Sequence, residues 1–254
     1  MNLTLTSAPS TSSASVSPAT ALAKSPATEP FDEFKLDDRQ LASKLQELRT
    51  HGYFTLPIAA PTMRFLEAQA ALMPHDPLVT NRCDLRGSTY ELTATAFATR
   101  VLAHLVPATL TLQPNEFEIR QPHAQVATGW HEDNAPKLLS CITTLVGSGT
   151  QFLAPDVSVT RFRTTVHYGL QTGAKLVRLA DHAVIEPHVQ TMESGKIYVF
   201  VGRGLKNSQV PVLVHRSPGE VGRTIFMARW KLRQPAAGTP DSPTLLPGLS
   251  REAA

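Results

Sequence analysis

Gly195-Lys196-Ile197-Tyr198-Val199-Phe200-Val201-Gly202 is a short, largely apolar run held between two glycines. Its length and its β-branched and aromatic content read as a buried strand with turn residues at both ends. On its C-terminal side, 210–215 is a second strand candidate and 223–232 a long alternating one. On its N-terminal side come 174–179, 164–168, 150–153 and 138–146, the last bounded by Pro136 and by the turn signal Gly147-Ser148-Gly149. Phe117-Glu118-Ile119-Arg120 also alternates, until Pro122 stops it. Roughly six to eight short strands, with turns between them and no helical period, argue for an antiparallel sandwich or barrel.

Ahead of the strands the period is helical. Asp37-Asp38-Arg39-Gln40 leads into Leu41, Leu45 and Leu48, with acidic residues where the helix dipole prefers them, and His51-Gly52 supplies a stop. Tyr53-Phe54-Thr55-Leu56-Pro57 reads as a short strand. A second helix is expected over 61–73, closed by Pro74, then a polar loop over 75–88, and a third helix over 91–105 before Pro107. The fold class is therefore α+β: a helical support region, 31–109, precedes a jelly-roll-like double-stranded β-helix, 110–233. Residues 1–30, rich in Ser, Thr, Ala and Pro, read as a disordered tail, and 234–254 as an irregular one.

With 254 residues and 42% hydrophobic content the chain can bury a sizeable core. A net charge of +3, from 24 basic and 21 acidic residues without a basic cluster, argues against nucleic acid or membrane partners. No apolar run reaches the length of a bilayer span. Cys83 and Cys141 form no disulfide framework and no C-x-x-C pair, so a reducing cytoplasm is expected. Oligomeric state is not legible.

The chemistry centres on Thr128-Gly129-Trp130-His131-Glu132-Asp133-Asn134. Residues two apart on a strand share a face, so His131 and Asp133 can hold one metal ion between them. Two histidines and one carboxylate on one side of an ion suit a non-haem Fe(II) centre. The spacing alone is equally that of a bland strand-end pair.

The order of elements adds to this. His131-x-Asp133 is followed by the Gly195–Gly202 strand, by His215-Arg216-Ser217-Pro218, and by Arg223 opening the final strand. This order resembles the Fe(II)/2-oxoglutarate-dependent dioxygenase superfamily. Leu48-Arg49-Thr50-His51-Gly52-Tyr53-Phe54-Thr55-Leu56-Pro57 also resembles the helix-to-strand lead-in of its phytanoyl-hydroxylase-like members. The 130–134, 147–150 and 215–218 stretches are similar to a bacterial branch that brings no substrate with it. The resemblance implies His131, Asp133 and His215 as metal ligands, Fe(II) and O2 as partners of the site, and 2-oxoglutarate as cosubstrate. The implied reaction oxidises a small molecule by hydroxylation or desaturation. An amino-acid-derived compound or natural-product intermediate is the expected substrate class.

Several assignments stay open. His188 is a rival third ligand, although it precedes the Gly195 strand; His123, His167 and His182 lack an ordered partner motif. A guanidinium grips a carboxylate in a planar, bidentate way, and the resemblance favours Arg223, at the start of the final strand, as anchor of the far carboxylate of 2-oxoglutarate. Arg229, six positions on and on the same strand face, is the alternate or a second contact. Arg216 would point away from His215. Trp130 and Asn134 are candidates for lining the site, and Arg86, in the polar stretch 81–90, for a substrate lid. Two other readings compete: a cupin-like metal enzyme without 2-oxoglutarate, which has no need of the arginines, and a non-catalytic β-barrel binding or effector protein.

Overall fold

The computed structural model describes residues 31–233 apart from 75, 77, 107–110, 123–128, 134–135, 154–162, 169–174, 180–185, 206–208 and 221. The expected tails at 1–30 and 234–254 lie outside the described residues.

Helix α1 (Asp38–His51) begins at a capping box: Asp37 accepts from the Gln40 amide at 2.7 Å and Gln40 accepts from the Asp37 amide at 2.9 Å. Its Leu41, Leu45 and Leu48 are buried, and Gly52 (φ 76°) turns the chain into β1 (Tyr53–Pro57). Helix α2 (Ala60–Ala71) carries Pro61 in its first turn, and α3 (Thr89–Ala103) is capped by Ser88. The expected 75–88 loop contains a strand, β2 (Asn81–Asp84). β3 (Leu112–Gln121), β4 (Leu139–Val146), β5 (Gln151–Leu153), β6 (Arg163–Tyr168), β7 (Lys175–Leu179) and β8 (Val189–Thr191) follow. Then come β9 (Lys196–Val201), β10 (His215–Arg216) and β11 (Thr224–Leu232).

Every pairing is antiparallel. The main sheet has six strands in the order β1-β9-β4-β11-β3-β2; a smaller sheet runs β10-β5-β8, and β6 pairs with β7. The N-terminal region thus contributes both edges of the main sheet, β1 and β2, as well as helices. The 210–215 run reaches ladder pairing only at His215. Pro211 has no amide hydrogen to give a ladder, and Gln209, two residues before it, adopts φ 61°.

The main sheet has two unlike faces. Phe54, Leu56, Phe117, Ile119, Leu139, Cys141, Ile197, Val199, Val201, Phe226, Ala228 and Trp230 join the helices in one core. Each fully buried large side chain there contributes roughly 1.5–3 kcal/mol by leaving water. Trp230 Nε1 also donates to Thr95 Oγ1 of α3 at 2.9 Å. The alternate residues Ile142, Tyr198, Phe200 and Met227 form a second cluster with Phe152, Met192 and Leu213 from the small-sheet region. Here the two sheets meet. Among the described residues no helix is long and apolar enough to cross a membrane.

Behind the sheet, Glu33 is 7% exposed and its Oε2 accepts from Thr62 Oγ1 at 3.0 Å. Burial raises its pKa above 4.5. The folded chain therefore holds this proton more tightly than the unfolded one, and stability present below about pH 4.5 is lost as pH rises through the raised value. Glu33→Gln should leave acid stability little changed and gain over the natural chain as pH rises. Urea midpoints across that range check it; parallel curves would show the carboxyl titrates normally.

Candidate metal centre

His131 and His215 face each other across a single rung, with backbone N–H to O distances of 2.9 Å in both directions. Their rings lie 4.4 Å apart, centroid to centroid. His215 also pairs with Phe152 of β5, so the small sheet fixes it. Asp133 lies just past the rung, outside any strand; it reaches its place through the loop, where a regular strand was expected. The turn after β9 holds that loop. Gly202, Arg203 and Gly204 amides donate to the carbonyls of Leu138, Asp133 and Lys137 at 3.0, 3.0 and 3.1 Å. A Cβ on Gly202 would sit 2.4 Å from the Lys137 carbonyl oxygen, so only glycine permits this approach. Arg203 Nε also lies 3.3 Å from Glu132 Oε2.

His131, Asp133 and His215 each offer one ligand atom, and these atoms lie within 4.8 Å of one another. His131 Nδ1 is 2.9 Å from the Gly129 carbonyl oxygen, and His215 Nδ1 is 3.2 Å from that of Leu213. A carbonyl only accepts, so each Nδ1 carries the proton and each Nε2 keeps a lone pair, as metal-binding histidines require. Burial pushes the His215 imidazole down to about 3, with His131 adding to the effect, and burial lowers His131 too. Burial alone would raise Asp133, but Arg229, His215 and Lys137 hold its carboxyl well below the usual carboxylate range. Two neutral imidazoles and one ionised carboxylate fit a divalent first-row metal ion.

Asp133 is tightly held. Ser140 Oγ donates to Oδ2 at 2.6 Å; Arg229 places Nε 3.1 Å from Oδ2 and Nη2 2.9 Å from Oδ1. The third nitrogen of that guanidinium, Nη1, donates to Glu116 Oε2 at 2.6 Å. The β11–β3 register shifts beside Arg229, where Trp230 faces Pro114.

Arg223 is differently placed. It is 2% exposed, and its nitrogens meet neutral oxygens: Nε donates to the Ser148 carbonyl at 2.7 Å, Nη2 to Thr150 Oγ1, and Nη1 to Ser217 Oγ at 3.5 Å. Burial lowers its pKa to about 10, and no carboxylate hydrogen-bonds it among the described residues. Thr144, on the face of β4 that carries Ser140, has a buried hydroxyl with no hydrogen-bond partner among the described residues.

The other candidates fall elsewhere. Trp130 lies under the guanidinium of Arg216, 4.5 Å from ring centroid to Cζ, and Arg216 Nε donates to Gln151 Oε1 at 2.6 Å. Arg86 is exposed and paired with Asp84. His188 is exposed on a short 3-10 turn, outside the cluster. Asn134, His123, His182 and the side chain of His167 lie outside the described residues. Sequence reasoning missed Ser140, Glu116 and Lys137. Ser140 alone had a local signal, as a polar residue inside an apolar run.

The three side chains thus form a His/carboxylate/His cluster that could hold a metal ion. The chain belongs to the DUF1826 family, described as a protein of unknown function, whose model matches residues 33–227. Comparison with curated proteins gives no match. Among solved structures, the chain is similar to an oxidoreductase of the 2OG-Fe(II) oxygenase family from Burkholderia pseudomallei, at 16% identity, 77% and 91% coverage of the two chains and a TM-score of 0.43. It is also similar to EvdO2 from Micromonospora carbonacea var. aurantiaca, at 14% identity, 81% and 95% coverage and a TM-score of 0.47. HygX from Streptomyces hygroscopicus, with nickel, 2-oxoglutarate and hygromycin B bound, gives 13% identity, 74% and 85% coverage and a TM-score of 0.41.

Proposed function

We propose that the chain is an Fe(II)/2-oxoglutarate-dependent oxygenase acting on a small molecule, built on a double-stranded β-helix with a phytanoyl-hydroxylase-like lead-in. The observation that carries this reading is Arg223. Only the exposed Glu220 acts on Arg223 through space and no described carboxylate hydrogen-bonds it, and a buried arginine so placed is costly unless an anionic ligand completes it. Its Ser217 contact is two positions beyond His215, about 7 Å at the rise of a strand. That is a span over which a five-carbon keto-diacid can reach from a metal to a cation. The unpartnered hydroxyl of Thr144 is a further donor for the same carboxylate. A cupin-like enzyme without 2-oxoglutarate leaves Arg223 unexplained.

In this reading His131, Asp133 and His215 would hold Fe(II) from one side, leaving its other positions open. With Fe(II), 2-oxoglutarate and O2 bound, the chemistry supplied is oxidative decarboxylation of the cosubstrate coupled to hydroxylation or desaturation of the substrate. The chain's own residues position and tune: Gly129 and Leu213 carbonyls fix the imidazole tautomers, and Ser140 and Arg229 orient the carboxylate. Arg229 is spent on Asp133 and Glu116, which leaves Arg223 as the cosubstrate anchor. Amino-acid-derived or natural-product compounds remain the proposed substrates. The free Cys83 and Cys141 suit a reducing, cytoplasmic setting.

Anaerobic Fe(II) with 2-oxoglutarate should give the weak visible charge-transfer band of the chelate. The band should vanish in His131→Ala and persist in His188→Ala. Arg223→Ala should weaken 2-oxoglutarate at least about tenfold while iron binding holds, as expected when a charged anchor is truncated. Persistence of the band in His131→Ala, or no effect at Arg223, would overturn the assignment.

A further inference from the structure

The triad-facing side of the main sheet changes character along its width. On β9, β4 and the middle of β11 it is apolar, through Tyr198, Phe200, Ile142 and Met227. From Arg229 across β3 and β2 it is ionised. Glu116 lies opposite Arg229, Glu118 opposite Met227, and Arg82 of β2 opposite Arg120. Lys137, four positions after Asp133, leans over the same strip.

We propose that this ionised strip, with Lys137 and Arg120 at its centre, binds an anionic group, a carboxylate or a phosphate; that the group belongs to the substrate rests on the oxygenase reading. Three observations support this. The first is a charge surplus. Among the described residues, contacts of 4.0 Å or less link Arg229, Lys137, Arg120 and Arg82 with Asp133, Glu116 and Glu118 alone, so four cations meet three carboxylates, while Asp84, opposite Glu118, is neutralised by Arg86. A divalent metal ion and a dianionic cosubstrate cancel each other, so the surplus would survive loading of the centre.

The second is shielding. Side-chain exposure is 9% at Arg229, 16% at Lys137 and 17% at Arg120, so water neutralises the excess poorly. Exposure rises to 54% at Arg82, which marks the direction of approach from solvent.

The third is unspent donors. Lys137 Nζ lies 3.8 Å from Asp133 Oδ1 and 4.0 Å from Glu116 Oε1, beyond hydrogen-bonding reach, and donates to no described residue. Arg120 spends Nε and Nη2 on Glu118. Its Nη1 makes no hydrogen bond among the described residues. An ammonium offers three donors and a guanidinium five, so both can take another acceptor. An anion seated between them would hold the rest of its molecule beside Asp133, where the reacting carbon of a substrate has to lie.

The test uses the full chain, stripped of metal by a chelator, titrated with inorganic phosphate and with acetate while the melting midpoint is followed. The natural chain and Arg64→Met, which removes an exposed cation on α2, should show the same saturable rise. In Lys137→Gln the half-saturating concentration should increase about tenfold or more, and Lys137→Arg should recover most of the loss. If Lys137→Gln does not fold, Arg120→Gln makes the same comparison. Unchanged binding in Lys137→Gln, or loss confined to Arg223→Met, would place the anion elsewhere and overturn the proposal. No iron, 2-oxoglutarate or O2 enters this titration. An intact iron–2-oxoglutarate band without Lys137-dependent binding therefore removes the anion site alone. Lys137-dependent binding without the band removes the oxygenase reading alone.

Discussion

Replacing Gly149 with alanine should cost at least about 3 kcal/mol of stability, beyond the usual range for an overpacked site. The added Cβ would stand 1.8 Å from the Met192 carbonyl oxygen and 2.9 Å from Thr191 Cγ2. The obstacle is backbone, so no rotamer change relieves it. The strands must part, and the Met192 amide loses its 2.8 Å hydrogen bond to the Thr150 carbonyl. Gly195 is the matched control. It has φ 78° and open space around its would-be Cβ, so Gly195→Ala meets only the left-handed backbone penalty, about 1–2 kcal/mol. Urea unfolding of both variants checks the contrast; equal losses would refute the steric account. Because Ser148 and Thr150 on either side hold Arg223, the Gly149 variant should also lose the 2-oxoglutarate binding proposed for that arginine.

Arg229→Ala should destabilise the metal-free chain by about 3–5 kcal/mol, the usual consequence of removing one partner from a buried ion pair. Among the described residues Asp133 would keep the Ser140 hydroxyl and the distant Lys137. Glu116 would lose its 2.6 Å partner at the same time. Arg229→Lys should recover little, because a single ammonium cannot span both oxygens of Asp133 and also reach Glu116. Unfolding midpoints of the two variants, read without metal, measure this. A change under about 0.5 kcal/mol for Arg229→Ala would mean the fork contributes nothing net.

Elements whose sequence carries both period and boundary were legible. β9 (Lys196–Val201) lies where its flanking glycines put it, and α1 starts at the Asp37 cap and ends at Gly52. Even spacing suggested one strand face for Arg223 and Arg229, but β11 begins at Thr224 and its register against β4 shifts between Thr224 and Ile225, so the spacing does not fix their sides and their different partners were not legible. Glu116 is 113 positions from Arg229 and joins it only through strand pairing, which no local pattern announces. β2 escaped notice because its residues, Asn81-Arg82-Cys83-Asp84, alternate an ionised face with a half-buried one and carry no apolar period. The 210–215 run misled in the opposite way: its buried Val210, Leu213 and Val214 look like a strand, but Pro211 interrupts the ladder. His131 and Asp133 were singled out on a strand argument and come together with His215 through a loop instead. The residue types were legible because a metal site calls for such side chains; the path that brings them together was not.

The rung between His131 and His215 has a consequence for how the chain folds. It closes a loop of more than eighty residues, from the H-x-D segment to the strand before last. Closure entropy grows only logarithmically with loop length, so the penalty at equilibrium is modest, but contacts this far apart in sequence form slowly. In an unfolded chain nothing holds His215 beside His131 and Asp133, and a fragment ending before β10 lacks it altogether. The metal would therefore be captured late, after β9 has laid down the turn that grips the Asp133 loop. Its binding rate during refolding would report the docking of β10, and so serve as a clock for the last long-range step.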